Sequence, residues 1–126
     1  MPPDWRPPRT VRDPKARRDF HRAGGGQCAV CGTARGLSLH HVYDRDDVPA
    51  GFVFLCGDGV RGCHGLITNE DREARAKLGA FIAAHRPDTI VYVLKKAGRE
   101  QGVDWFRRRL FVDVEPVLAT IQDRRL

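Results

Sequence analysis

Cys28-Ala29-Val30-Cys31 opens, Leu39-His40-His41-Val42 crosses, and Leu55-Cys56-Gly57-Asp58-Gly59-Val60-Arg61-Gly62-Cys63-His64-Gly65 closes the stretch whose reading decides the fold. All four cysteines of the chain and three of its five histidines fall between Cys28 and His64. The cysteines run C-x2-C, then a gap of 24 residues, then C-x6-C. In a reducing compartment, short-spaced thiol pairs serve as metal ligands more readily than as disulfides. Gly32, directly after Cys31, makes a knuckle whose amides stabilise thiolate charge. Four thiolates complete the tetrahedral shell of zinc and leave no open position. Cys28, Cys31, Cys56 and Cys63 are therefore expected to hold a structural Zn2+.

The residues between the cysteine pairs read as a hairpin. Leu37, Leu39 and His41 alternate with Ser38 and His40, the period of a strand, and Phe52-Val53-Phe54-Leu55 forms a second apolar run ending at Cys56. An acidic and polar loop, 43–51, joins them. Cys63-His64-Gly65-Leu66-Ile67 reads as the start of a short helix packed across the hairpin, which gives the order strand, strand, helix. With the zinc shell complete, the histidines need separate work. Adjacent strand residues point to opposite faces, so His40 and His41 do not easily bind one metal together. His64 can aim its ring back toward one of them.

Working outward, residues 1–24 read as a basic, proline-rich flexible arm: five of the eight prolines lie in the first 14 positions. A short helix over about 14–22 fits the pattern, with Trp5 or Phe20 as docking residues. After the core, 25–70, the segment 71–126 reads as a mainly helical extension packing on it. Ala74, Leu78, Phe81, Ile82 and His85 share one helical face, capped by Thr68 or Asn69, with Gly79 weakening the helix and able to end it early. Asp88 is the expected cap of a second helix carrying Ile90, Val91, Leu94 and Ala97, with a strand as the alternative that its β-branched residues leave open. Val103, Phe106 and Leu110 mark a third, and the tail combines a strand at 111–114 with a helix after Pro116. The expected fold class is α+β.

Composition limits the partners. Lys and Arg number 22 against 16 Asp and Glu, for a net charge of +6 and a pI near 9.6, a balance that favours polyanions. Arg45 and Arg61 flank the histidines, and Arg107-Arg108-Arg109 form an exposed run, so these are the expected phosphate contacts. With 126 residues the chain accommodates one domain, and a central stretch rich in Gly, Asp and Arg buries little apolar surface, so metal replaces part of the core. No apolar run of membrane-spanning length occurs and the N-terminus lacks a secretory segment, so a soluble, cytoplasmic protein is expected.

The doublet in Leu39-His40-His41-Val42, the Cys63-His64 pair opening a helix and the four spaced cysteines together resemble the HNH endonucleases with their ββα-metal fold, in particular the small phage-encoded type. The resemblance runs from Cys28 to about Leu66. Arg86-Pro87-Asp88-Thr89-Ile90-Val91-Tyr92-Val93-Leu94 and Gly102-Val103-Asp104-Trp105-Phe106-Arg107-Arg108-Arg109-Leu110 are similar to C-terminal parts of some phage members. The resemblance implies a nuclease core over 25–70, with His40 and His64 as ligands of a catalytic divalent ion, Mg2+ or another divalent metal, and His41 as general base. The implied activity is metal-dependent hydrolysis of duplex DNA, in a homing role or beside phage packaging proteins. The family's middle asparagine falls at Gly51 and its further helix ligand at Thr68, with Asn69, Asp44, Asp46 or Asp47 as candidate substitutes. The alternative is a zinc-stabilised DNA-binding module that does not cut.

Overall fold

A computed structural model of the chain describes residues 10–23 and 26–125. Their architecture is mixed α+β: one antiparallel hairpin and six helices around a shared core. Strand β1 (Leu37–His41) pairs with β2 (Phe52–Cys56) in the register Leu37 to Cys56, Leu39 to Phe54 and His41 to Phe52. A two-stranded hairpin is marginal in water, so both of its faces are covered.

On one face lies helix α1 (Pro14–Arg22), built by Pro14 in the first turn and by Asp13, whose carboxylate accepts from the Ala16 amide at 3.0 Å. Phe20 sets its ring against Phe52 and Phe54, with centroids 5.4 and 5.1 Å away. The segment expected as a flexible arm is thus anchored along residues 11–20. Trp5 lies outside the described residues, as do Gly24 and Gly25.

On the other face lies α2 (Gly62–Thr68), followed by α3 (Arg72–His85), α4 (Pro87–Ala97), α5 (Arg99–Leu110) and α6 (Glu115–Arg125). Val42, Val53 and Leu55 of the hairpin region join Leu78, Ile82, Ile90, Val93, Val103, Phe106, Leu110 and Leu118 in one continuous core. At about 1.5–3 kcal/mol for each fully buried Leu, Ile, Val or Phe, this cluster supplies the main apolar stabilisation. Cys28 and Cys63 belong to the same cluster, so the thiols are part of the packing.

Several element ends differ from the sequence expectation. The cap of α3 is Asp71, accepting from Ala74 at 2.9 Å, rather than Thr68 or Asn69, because α2 continues through Thr68. Pro87 opens α4 and Arg86 is its cap, while Asp88 sits in the first turn, paired to the Arg86 guanidinium. Residues 111–114 form no strand: Phe111 turns left-handed at φ 53 and ends α5.

Gly79 neither ends nor interrupts α3. A Cβ there would lie 2.2 Å from the Leu110 carbonyl oxygen, so the glycine lets α3 and α5 approach backbone to backbone. Alanine is the better helix former by about 1 kcal/mol, yet Gly79→Ala is expected to destabilise the fold by roughly 1–3 kcal/mol through forced separation of the helices. Urea titration checks the sign; a stabilised variant would refute the close-packing account.

Candidate functional site

The cysteines converge as their spacing requires. The turn at 29–31 is closed by the Gly32 amide donating to the Cys28 carbonyl at 2.9 Å, and Gly32 adopts φ 82, in the left-handed region that favours glycine. The amides of Val30 and Cys31 point at Cys28 Sγ, 3.4 and 3.5 Å away, and that of Cys63 points at Cys56 Sγ, 3.4 Å away. Burial pushes the Cys28 thiol up, but amide hydrogen bonds outweigh it and bring it down to about 7. Burial raises the Cys63 thiol.

All four Sγ atoms lie within 4.8 Å of one another, and Cys31 and Cys56 are 3.7 Å apart. A tetrahedron with zinc–sulfur bonds of about 2.3 Å has edges of about 3.8 Å. The four free thiols therefore fit a tetrahedral metal of zinc's size, and disulfide pairing is not the state of this fold.

The strand alternation separates the doublet. His40 lies on the α2 face, its ring centroid 5.2 Å from that of His64 and nearly perpendicular to it. Ser38, two residues earlier on the same face, places its hydroxyl 2.6 Å from His64 Nδ1, leaving Nε2 of that ring for another partner. Burial, reinforced by the neighbouring imidazoles, lowers His40 to about 4, and burial also lowers His64. Both rings are therefore neutral at pH 7 and carry free electron pairs. Two imidazoles on one ion, with bonds of about 2.1 Å and angles between right and tetrahedral, have centroids about 4.6–5.3 Å apart. The observed centroid spacing falls in that range, so His40 and His64 are residues that could hold a divalent ion.

His41 lies on the opposite face, against the Phe52 ring at 5.1 Å. Its Nε2 is 2.9 Å from Oδ1 of Asp47, a carboxylate of which 2% remains exposed. Burial raises Asp47, yet the bonds from His41 and the Asp13 amide, with Arg17 nearby, leave it below the usual carboxylate range. Asp47 is thus ionised and accepts only, so His41 donates to it through Nε2, and in the neutral ring this leaves Nδ1 as the acceptor.

The loop bearing Asp47 is held from two sides. Asp46 accepts from the Val11 amide at 2.8 Å and from Lys96 of α4, and Tyr92 donates to Asp44 at 2.6 Å. Gly51 is buried, and a Cβ there would stand 3.2 Å from the Tyr92 ring. Asp47 bonds His41 in this chain, and the sequence offered it only as one of four candidate substitutes, without linking it to His41.

The Lys96 and Val11 bonds hold Asp46 below its ordinary value of 3.8. A folded pKa below the unfolded one contributes stability that is present above pH 4 and lost as the pH falls through the folded value. Asp46→Asn is therefore expected to destabilise the chain at pH 7 and to narrow its stability gap from wild type near pH 3, measured by urea titration at both values. An equal gap at the two pH values would refute the pairing.

The arginines divide. Arg45 and Arg61 are exposed, Arg107 is paired to Asp113 and Arg108 to Asp104, and Arg109 turns toward Glu70. Thr68, at the position of the further helix ligand, donates its hydroxyl to the His64 carbonyl at 3.0 Å.

No family model, curated protein or solved structure matches this chain. Among the described residues no helix is long and apolar enough to cross a membrane.

Proposed function

We propose that the chain is a metal-dependent endonuclease of the HNH type acting on duplex DNA. The observation that carries this reading is the pairing of His40 with His64 where the hairpin meets α2, with His41 next in the strand and braced by Asp47. The basic charge of the chain supports a polyanionic substrate.

In this reading Cys28, Cys31, Cys56 and Cys63 hold zinc and fix the hairpin against α2. His40 and His64 hold a divalent ion, which supplies Lewis-acid stabilisation of charge on the phosphate when bound. His41 in its neutral form takes a proton from the attacking water through Nδ1, and Asp47 holds the ring and stabilises the imidazolium that forms. Hydrolysis of the phosphodiester then leaves a 5′ phosphate and a 3′ hydroxyl.

Zinc-loaded protein with Mg2+ or Mn2+ is expected to convert supercoiled plasmid to nicked or linear forms, and His40→Ala and His64→Ala to abolish the conversion. DNA binding without cleavage under any divalent metal would instead favour a zinc-stabilised binding module. The engagement of Thr68 with the His64 carbonyl is the observation on that side.

A further inference from the structure

The His40 face of the hairpin opens into a cleft of about 140 Å3 between β1, α3 and α5, lined among others by His40, Thr68, Arg75, Trp105 and Arg109. Two guanidinium groups converge there on one oxygen. Arg75 of α3 and Arg109 of α5 place Nη2 atoms 3.0 and 3.7 Å from Oε1 of Glu70. The Arg75 side chain is 13% exposed, so its orientation is set by packing, whereas that of Arg109 is 49% exposed and free to follow a ligand. Arg107 and Arg108 point elsewhere, because successive helical residues fan around the axis and each has its own aspartate.

Glu70 is unusual on two counts. Its side chain is 65% exposed, a setting in which an ion pair contributes little to stability. Its backbone stands at φ 63, in the left-handed region that non-glycine residues rarely occupy. A strained turn thus places one carboxylate oxygen within ion-pair distance of two guanidinium groups that line a cleft reaching His40. Guanidinium forks match the oxygens of a phosphate as they match a carboxylate.

We propose that Arg75 and Arg109 clamp a backbone phosphate of duplex DNA beside the His40–His64 pair, and that Glu70 holds the place of that phosphate in the free protein. The choice of DNA rests on the nuclease reading; the anion clamp rests on the cleft itself. DNA entering the site exchanges Glu70 for a phosphate oxygen, so no guanidinium is left unpaired at either stage. Arg75 positions the strand and Arg109 closes over it.

The test is fluorescence anisotropy of a labelled short duplex with zinc-loaded full-length protein, over a series of salt concentrations in Ca2+, with cleavage in Mg2+ or Mn2+ read in parallel. Arg109→Gln is expected to weaken binding about three- to ten-fold and to make the salt dependence shallower by about one unit of slope. Arg75→Lys, which keeps the charge and loses the fork, is expected to weaken it less. Glu70→Gln is expected to tighten binding several-fold by removing the competing carboxylate. Wild-type affinity and slope in both arginine variants would overturn the clamp, and unchanged affinity in Glu70→Gln would overturn the place-holding role. Weakened binding in Arg109→Gln beside a wild-type protein that never cuts upholds the clamp and sinks the nuclease reading. Undiminished binding and cutting in both arginine variants does the reverse.

Discussion

Removing metal from the four cysteines is expected to unfold the protein outright. Structural zinc binds such sites with an apparent free energy of about 10–16 kcal/mol, as large as the whole stability of an ordinary domain, about 5–15 kcal/mol. Among the described residues the two-stranded hairpin has no third strand to support it, and Cys28 and Cys63 sit inside the core that also contains Leu78, Ile82 and Phe106. Loss of the ion leaves four thiols crowded within 4.8 Å and removes the link between the Cys28 turn, β2 and α2. The disturbance then reaches α3 and α5 through Val53 and Leu55. The purified protein is expected to carry one zinc per chain by elemental analysis. Chelation, or Cys56→Ser, is expected to abolish the near-UV circular dichroism to which Tyr43 and Trp105, 5.2 Å apart, contribute. A native near-UV spectrum after the metal has gone would show that the thiols are packing residues and not ligands.

The parts of this fold that were legible in the sequence are those set by local chemistry. Cysteine spacing located the cluster because knuckle geometry depends on neighbours in the chain. Alternation placed His40 and His41 on opposite faces because strand side chains have a period of two. Element ends were less legible, since several residues compete for each cap. Thr68 bonds back to the His64 carbonyl and extends α2, Glu70 turns left-handed, and the cap role passes to Asp71. The stretch Phe111-Val112-Asp113-Val114 carried no information about a missing strand partner. Contacts between distant elements were not legible at all. Gly79 looked like a helix breaker until Leu110 was seen against it, and Arg75 lay on a helix face with no local sign of the cleft. Asp47 was one of three aspartates in a loop, and only the fold shows which of them reaches His41.

His41→Ala is expected to reduce DNA cleavage by about 10²–10⁴-fold, the range for removing a positioned general base, with zinc content unchanged and a lowered unfolding midpoint, because the buried Asp47 loses one of its partners. Asp47→Asn is the more discriminating variant. The aspartate accepts from Nε2 and so keeps Nδ1 bare; an asparagine amide can donate to Nε2 instead, which moves the ring proton to Nδ1 and removes the base. A loss of about 10–100-fold is expected, the scale for a group that orients another. Asp47 also accepts from the Asp13 amide, and a merely structural role would lower the unfolding midpoint while leaving the cleavage rate of the folded protein unchanged. A folded Asp47→Asn that cuts at the wild-type rate would remove Asp47 from the role of positioning His41.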